Sequence, residues 1–208
     1  MSREGTSPLG PPPKPLLIVL SGLSGAGKDA VLARLRQSAR HLEFIVTMTT
    51  RPPRAGEKDG VHYHFVTGAR FQELIDRQEL LEWAEVYGHR YGVPREPVRL
   101  ALQKGRDVII KTDVQGAATI KKLAPPAVFI FVTPPSLEEL ATRLRQRHTE
   151  TETDLDLRLK TARRELETLP MFDYVVLNRQ GELERSAADI QAIITAEKCR
   201  VEPREIIL

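Results

Sequence analysis

One cysteine, Cys199, among 208 residues leaves no internal disulfide to form, which excludes the small cross-linked scaffolds of secreted proteins. Long apolar runs are also missing. Leu16–Leu20 and Val128–Val132 are five residues each, against about 20 for a membrane-spanning helix. The N-terminus has no apolar segment of the signal-peptide kind. Charge of one sign is scarce as well, since 31 basic residues face 28 acidic ones and no run of four Lys/Arg occurs. These absences predict a soluble, cytoplasmic protein without membrane association. What is present is ordinary globular composition, 41% hydrophobic and 28% charged, enough for one compact domain with small insertions. Of the basic residues 22 are Arg, a bias that suits bidentate phosphate recognition and equally follows from genomic base composition.

The chain divides by pattern. Residues 1–15 hold five of the 15 prolines and read as a disordered tail. Short apolar runs then alternate with amphipathic stretches. Leu16–Leu20 precedes a helix over 28–38, Val108–Ile110 precedes one over 115–123, and Ala127–Val132 precedes one capped by Ser136. Tyr174–Leu177 precedes a last helix over 182–198. Apolar strands alternating with helices predict an α/β fold, a parallel sheet core with helices on both faces. Residues 46–95 break the rhythm with polar, Gly-rich and aromatic sequence, which predicts a small antiparallel insertion. The core therefore covers 16–45 and 96–198, with a charge-dense helical segment at about 143–169 and a C-terminal tail at 199–208.

Directly after the first strand stands Gly22-Leu23-Ser24-Gly25-Ala26-Gly27-Lys28-Asp29, followed by a helix. This nearly fits G-x-x-x-x-G-K-[ST], the P-loop, in the strand–loop–helix setting that the pattern requires. Glycines let backbone N–H groups converge on an anion, the helix N-terminus adds partial positive charge, and Lys28 reaches the β and γ phosphates. Gly22, Ser24, Gly25, Ala26, Gly27, Lys28 and Asp29 are thus candidates for ATP binding. Asp29 stands where the pattern has a hydroxyl for Mg²⁺, and is the candidate metal ligand.

The insertion carries a second motif, Thr47-Met48-Thr49-Thr50-Arg51-Pro52-Pro53-Arg54-Ala55-Gly56-Glu57, followed by Tyr63, Glu82 and Tyr91-Gly92. Two Arg three residues apart beside hydroxyls and a Tyr suit a phosphate monoester. From about 16 to 198 the sequence resembles guanylate kinase. The resemblance implies a P-loop core with an acceptor-nucleotide domain and a helical lid, and transfer of phosphate from ATP to GMP with Mg²⁺. It implies that Thr47, Arg51, Arg54, Tyr63 and Tyr91 hold the GMP phosphate and that Glu82 and Asp113 read the guanine edge. It also implies that Arg143, Arg147 and Arg158 close over the transferring phosphates, with Asn178 near the adenine. Lys28, Arg51 and the three lid Arg would be catalytic. The partners are then GMP and ATP rather than nucleic acid, in a monomer or homodimer.

Three positions depart from the family pattern. Asp29 replaces the loop hydroxyl, Val93 replaces a Ser or Thr that would donate to guanine O6, and Lys111 replaces an Asp at a strand end. Asp29 and Lys111 are expected to form an ion pair that reorganises the metal site. Two other readings remain open on the sequence: a catalytically weak module of the same fold that binds a nucleotide or an acidic or phosphorylated partner, and a P-loop kinase with altered acceptor specificity.

Overall fold

The structure, a computed structural model, describes residues 13–146 and 152–208. The elements in chain order are β1 (Leu17–Gly22), α1 (Lys28–Ser38), β2 (Glu43–Phe44), β3 (Met48–Thr49), β4 (His64–Phe65), α2 (Gly68–Asp76), β5 (Leu80–Val86), β6 (His89–Pro94) and α3 (Arg95–Gln103). There follow β7 (Val108–Lys111), α4 (Val114–Leu123), β8 (Val128–Thr133), α5 (Leu137–Arg145), α6 (Glu152–Leu166), β9 (Tyr174–Leu177) and α7 (Leu183–Lys198).

Five strands form the core sheet in the order β2-β7-β1-β8-β9, every pair parallel. β1 lies at its centre with all six residues buried, which is why its sequence is continuously apolar rather than alternating. Successive side chains of a strand point to opposite faces. Leu16, Ile18 and Leu20 accordingly join α1, α5 and α7 through Leu35, Leu144 and Ile190. Leu17 and Val19 join α3 and α4 through Val98 and Ile120. The expected helices α1, α4, α5 and α7 appear within two residues of their sequence bounds, and Ser136 caps α5 by accepting from Glu139 N at 3.2 Å.

A second sheet has the order β4-β3-β6-β5. β5 and β6 are an antiparallel hairpin closed by Tyr87-Gly88, both at positive φ (51° and 74°), the two-residue turn whose twist matches that of the strands. The antiparallel expectation for the insertion holds for β5–β6 and β3–β6 but not throughout. Met48 pairs with His64 in parallel, because residues 50–63 cross over between β3 and β4 and carry the arginine motif on the way. The edge strand β2 and the helices α2 and α3 were not legible as separate elements. Residues 199–208, expected as a tail, are tied down. Arg204 makes a two-pronged bond to Glu197 at 2.7 and 2.8 Å, and Ile206 and Leu208 pack on the core. The proline-rich segment 1–12 lies outside the described residues. Among the described residues no helix is long and apolar enough to cross a membrane.

Candidate active site between the phosphate loop and the second sheet

β1 delivers the chain into the glycine loop at Gly22, where a Cβ would fall 2.0 Å from the Val132 carbonyl oxygen on β8. Nothing larger than glycine fits. The loop ends at Gly27, the N-cap of α1 at φ 88°, so the first amides of that helix face the loop's interior. Lys28 Nζ donates to the carbonyls of Gly22 (2.7 Å) and Leu23 (2.9 Å). Desolvation pushes this ammonium below the ordinary lysine range, opposed by Glu165 and Asp29. Glu165 reaches across from α6 and accepts from Ser24 N at 3.2 Å.

The acceptor side is built on the second sheet. Arg51 is nearly buried, paired with Glu57 at 2.8 Å and packed over the rings of Tyr63 and Phe65 at 5.5 and 5.8 Å. Burial would lower its pKa, but the bonds to Glu57 and Tyr91 outweigh it and leave the guanidinium above its usual range. Glu57 also accepts from Arg54 N at 2.7 Å, so one carboxylate sets both the Arg51 side chain and the Arg54 backbone. Tyr63 and Tyr91 meet edge to face at 5.9 Å. Thr47, Arg51, Arg54, Tyr63 and Tyr91 all line the same cavity, of about 380 Å³, as Gly22, Ser24, Lys28 and Asp29.

The same cavity is lined by the two carboxyl groups expected to read the base, Glu82 and Asp113. Glu82, on β5, is 4% exposed; its Oε1 accepts from Thr112 Oγ1 at 2.8 Å, while its Oε2 is buried with no hydrogen-bond partner. Burial pushes this carboxyl up to about 8, helped by nearby Asp113 and opposed by the Thr112 bond. Gly116 makes room for it, since a Cβ there would lie 2.4 Å from Glu82 Oε2 and 2.0 Å from Thr112 Oγ1. Asp113 caps α4, its Oδ1 accepting from Gln115 N (2.7 Å) and Gly116 N (3.0 Å). An orphaned buried acceptor beside a second carboxylate is a seat for adjacent N–H donors.

The structure redistributes several sequence expectations. Arg158 lines the cavity and lies 5.1 Å over the Tyr87 ring. Arg143 does not line it. Its guanidinium is bonded to the carbonyls of Ala26 and Asn178 and to Glu139, because α5 packs its inner face into the core beside the loop and gives this arginine the loop's outer backbone instead of the phosphates. Asn178 does likewise, donating to Ala26 O at 2.7 Å and accepting from Ser186 at 3.2 Å. Both side chains thus hold the carbonyl of Ala26 in the loop. Arg147 lies outside the described residues. Val93 is fully buried in the apolar cluster with Leu81 and Val98 and does not line the cavity. In the hairpin register Val93 stands directly opposite Glu82, so a hydroxyl at this position would neighbour that carboxyl group. Glu57, Thr112, Gly116, Tyr87 and Glu165 had no assigned role in the sequence reading. Gly116, a glycine inside a helix pattern, was the one with a signal.

The anticipated ion pair is present: Lys111 Nζ bonds Asp29 Oδ1 and, at 2.6 Å, the Tyr63 hydroxyl. This bears on Mg²⁺. P-loop enzymes seat the ion between the loop hydroxyl and a carboxylate from a neighbouring strand. Here the first position offers a carboxylate already engaged by an ammonium, and the neighbouring strand end offers that ammonium. These residues do not fit a metal held by the protein, and Asp29, expected as its ligand, is an ion-pair partner instead.

An anion-binding loop that shares one cavity with a second anion-binding surface has a donor side and an acceptor side. Fold and site together define a P-loop phosphotransferase. The family described as guanylate kinase matches residues 14–197. Guanylate kinase of Desulfitobacterium hafniense (strain Y51) is 45% identical over 192 residues, 92% of this chain and 95% of that protein. Guanylate kinase 2, chloroplastic/mitochondrial, of Oryza sativa subsp. japonica is 45% identical over 202 residues, 97% of this chain and 71% of that protein. The crystal structure of guanylate kinase from Anaplasma phagocytophilum superposes with a TM-score of 0.73 at 32% identity, covering 92% of each chain. The chain belongs to the guanylate kinase family.

Proposed function

We propose that the protein transfers the γ-phosphoryl group of ATP to the phosphate of GMP, giving ADP and GDP. The observation that carries this reading is Glu82. Its Oε2 is buried without a hydrogen-bond partner, and Glu82 lines the cavity together with Asp113, an arrangement that suits a base presenting adjacent donors. Guanine presents N1–H and N2–H₂ side by side, whereas adenine presents no such pair. With the base held by Glu82 and Asp113, the acceptor phosphate falls to Arg51, Arg54, Tyr63, Tyr91 and Thr47, which face the loop across the cavity.

The donor phosphates occupy the Gly22–Gly27 loop, with Lys28 leaving its two carbonyl partners to meet them. An acceptor-phosphate oxygen then bonds to the γ phosphorus as the bond to the ADP oxygen breaks, and ADP departs with the electron pair. No base is required, because the acceptor is already an anion. Arg51, fixed by Glu57, aligns it in line. Arg158, supported by Tyr87, adds charge from the lid helix. ATP arrives as its Mg²⁺ complex, the metal belonging to the substrate.

A coupled assay for ADP with ATP, Mg²⁺ and a panel of nucleoside monophosphates tests the reading, with turnover expected on GMP and at most about a hundredth of that on AMP. Turnover on another monophosphate in preference to GMP would establish the altered-acceptor kinase. Binding of GMP without turnover would establish the binding module.

A further inference from the structure

Lys111 occupies a costly place. It ends β7, paired in register with Leu20 of β1 two residues before the phosphate loop begins. Its side chain is only 12% exposed although it lines the open cavity. Its partner Asp29 is 71% exposed, and a half-solvated pair contributes little to folding. Fold stability therefore does not account for an ammonium here. An apolar residue would extend the Val108–Ile110 strand at lower desolvation cost.

Its position does account for it. Asp29 follows Lys28 in the first turn of α1, on the donor side. Tyr63 packs against Arg51 (5.5 Å) and Tyr91 (5.9 Å), on the acceptor side. Lys111 Nζ bonds both Asp29 and Tyr63, and lies 4.1 Å from the Tyr63 ring centroid. One ammonium thus bridges the two halves of the cavity where the phosphoryl group must pass. Its orientation is fixed on two sides before any ligand arrives, which is the condition for electrostatic stabilisation without reorganisation. Burial opposes its charge, but Asp29 and Tyr63 outweigh burial and keep it protonated.

We propose that Lys111 is a further catalytic residue, an ammonium that contacts the phosphoryl group in transfer and supplies the positive charge that a protein-held metal supplies in other P-loop enzymes. Lys111 keeps its proton throughout, and the bonds made and broken are those given above. The inference rests on the phosphoryl-transfer reading of this cavity.

The test is the affinity of the β,γ-imido analogue of ATP, measured by calorimetry with Mg²⁺ and again with a chelator. It compares the wild type, Lys111→Met, Lys111→Arg and the double variant Asp29→Ser/Lys111→Asp, each checked for a cooperative melt. Wild type is expected to lose no more than about fivefold on chelation, and the double variant, which restores hydroxyl plus carboxylate, about fiftyfold or more. Lys111→Met should bind the analogue about tenfold more weakly than wild type in chelator and lower kcat about 100-fold, with Lys111→Arg recovering most of both. Equal affinity of wild type and Lys111→Met in chelator overturns the proposal, as does a wild type that depends on Mg²⁺ as steeply as the double variant. If wild type fails to phosphorylate GMP, the functional reading falls on its own, and the chelation ratios still decide whether Lys111 takes the metal's part.

Discussion

The proposed role of Glu82 predicts that GMP binding releases a proton. Burial pushes the Glu82 carboxyl up to about 8, so the neutral form dominates at pH 7. Guanine's paired donors need the carboxylate, and a ligand that binds only the deprotonated form gains affinity as pH rises towards 8. The carboxylate fraction is roughly 0.03 at pH 6.5 and 0.76 at pH 8.5, so affinity should rise about 25-fold over that interval, or ~1.9 kcal/mol. At pH 7 calorimetry in buffers of different ionisation enthalpy should count about 0.9 proton released per ligand bound. The phosphate of GMP titrates too, so guanosine serves as the probe without that contribution. Glu82→Gln should bind guanosine weakly and with no slope between pH 6.5 and 8.5. Flat guanosine binding by the wild type, with no buffer-dependent heat, would refute the argument. The same group bears on stability with the opposite sign. A folded-state pKa raised above the unfolded value contributes stability at low pH that is lost as pH rises through about 8. The unliganded protein should therefore melt progressively lower from pH 5 to pH 9, and Glu82→Gln should lose that slope.

Three further outcomes follow from particular contacts. Gly116→Ala forces Glu82 and Thr112 apart from a Cβ that would sit 2.4 and 2.0 Å from their oxygens; a loss of ~1–3 kcal/mol in thermal or urea unfolding is expected, with KM for GMP raised about tenfold and KM for ATP unchanged. Glu57→Gln removes the charged partner of Arg51, and KM for GMP should rise about tenfold, the equivalent of a charge-assisted hydrogen bond, which steady-state kinetics at fixed ATP will read. Arg204→Ala leaves Glu197, whose side chain is 1% exposed, without its two-pronged partner; a loss of ~3 kcal/mol is expected, seen as a melting temperature lower by roughly 6–12 °C.

The phosphate loop was legible because its glycines and Lys28 follow a fixed spacing between strand and helix even though Asp29 departs from it, and Gly22 leaves no room for a larger residue. The strands were legible for a different reason, since burial on both faces demands continuous apolar runs. The Asp29–Lys111 pair could be anticipated because both positions depart from the family pattern with opposite charges, and the fold sets the end of a neighbouring strand beside the start of the loop's helix. Other parts depend on distances that a sequence does not carry. Val93 follows Tyr91-Gly92 and so reads as a pocket residue, yet its side chain lies in the apolar cluster. Arg143 reads as a lid cation, yet α5 places it on the outer backbone of the loop. Glu57 was within the quoted motif without a role, because only the crossover of residues 50–63 brings its two oxygens to Arg51 and Arg54. The C-terminal residues look like a tail, since nothing local signals that Arg204 finds Glu197.

Through its contact with Ser24 N, Glu165 sets a carboxyl group against one amide of the phosphate loop. A phosphate that takes this amide evicts a carboxylate, and Lys28 trades two carbonyls for it at the same moment. Nucleotide arrival is therefore an exchange of partners on a preformed lattice of donors rather than the filling of bare ones. Water is the poor competitor in such an exchange, because it brings no charge to replace the one displaced. The helix that supplies the outgoing carboxylate also supplies Arg158, two turns earlier and on the same cavity wall. One helix thus presents the incoming phosphates with one group they repel and one they attract.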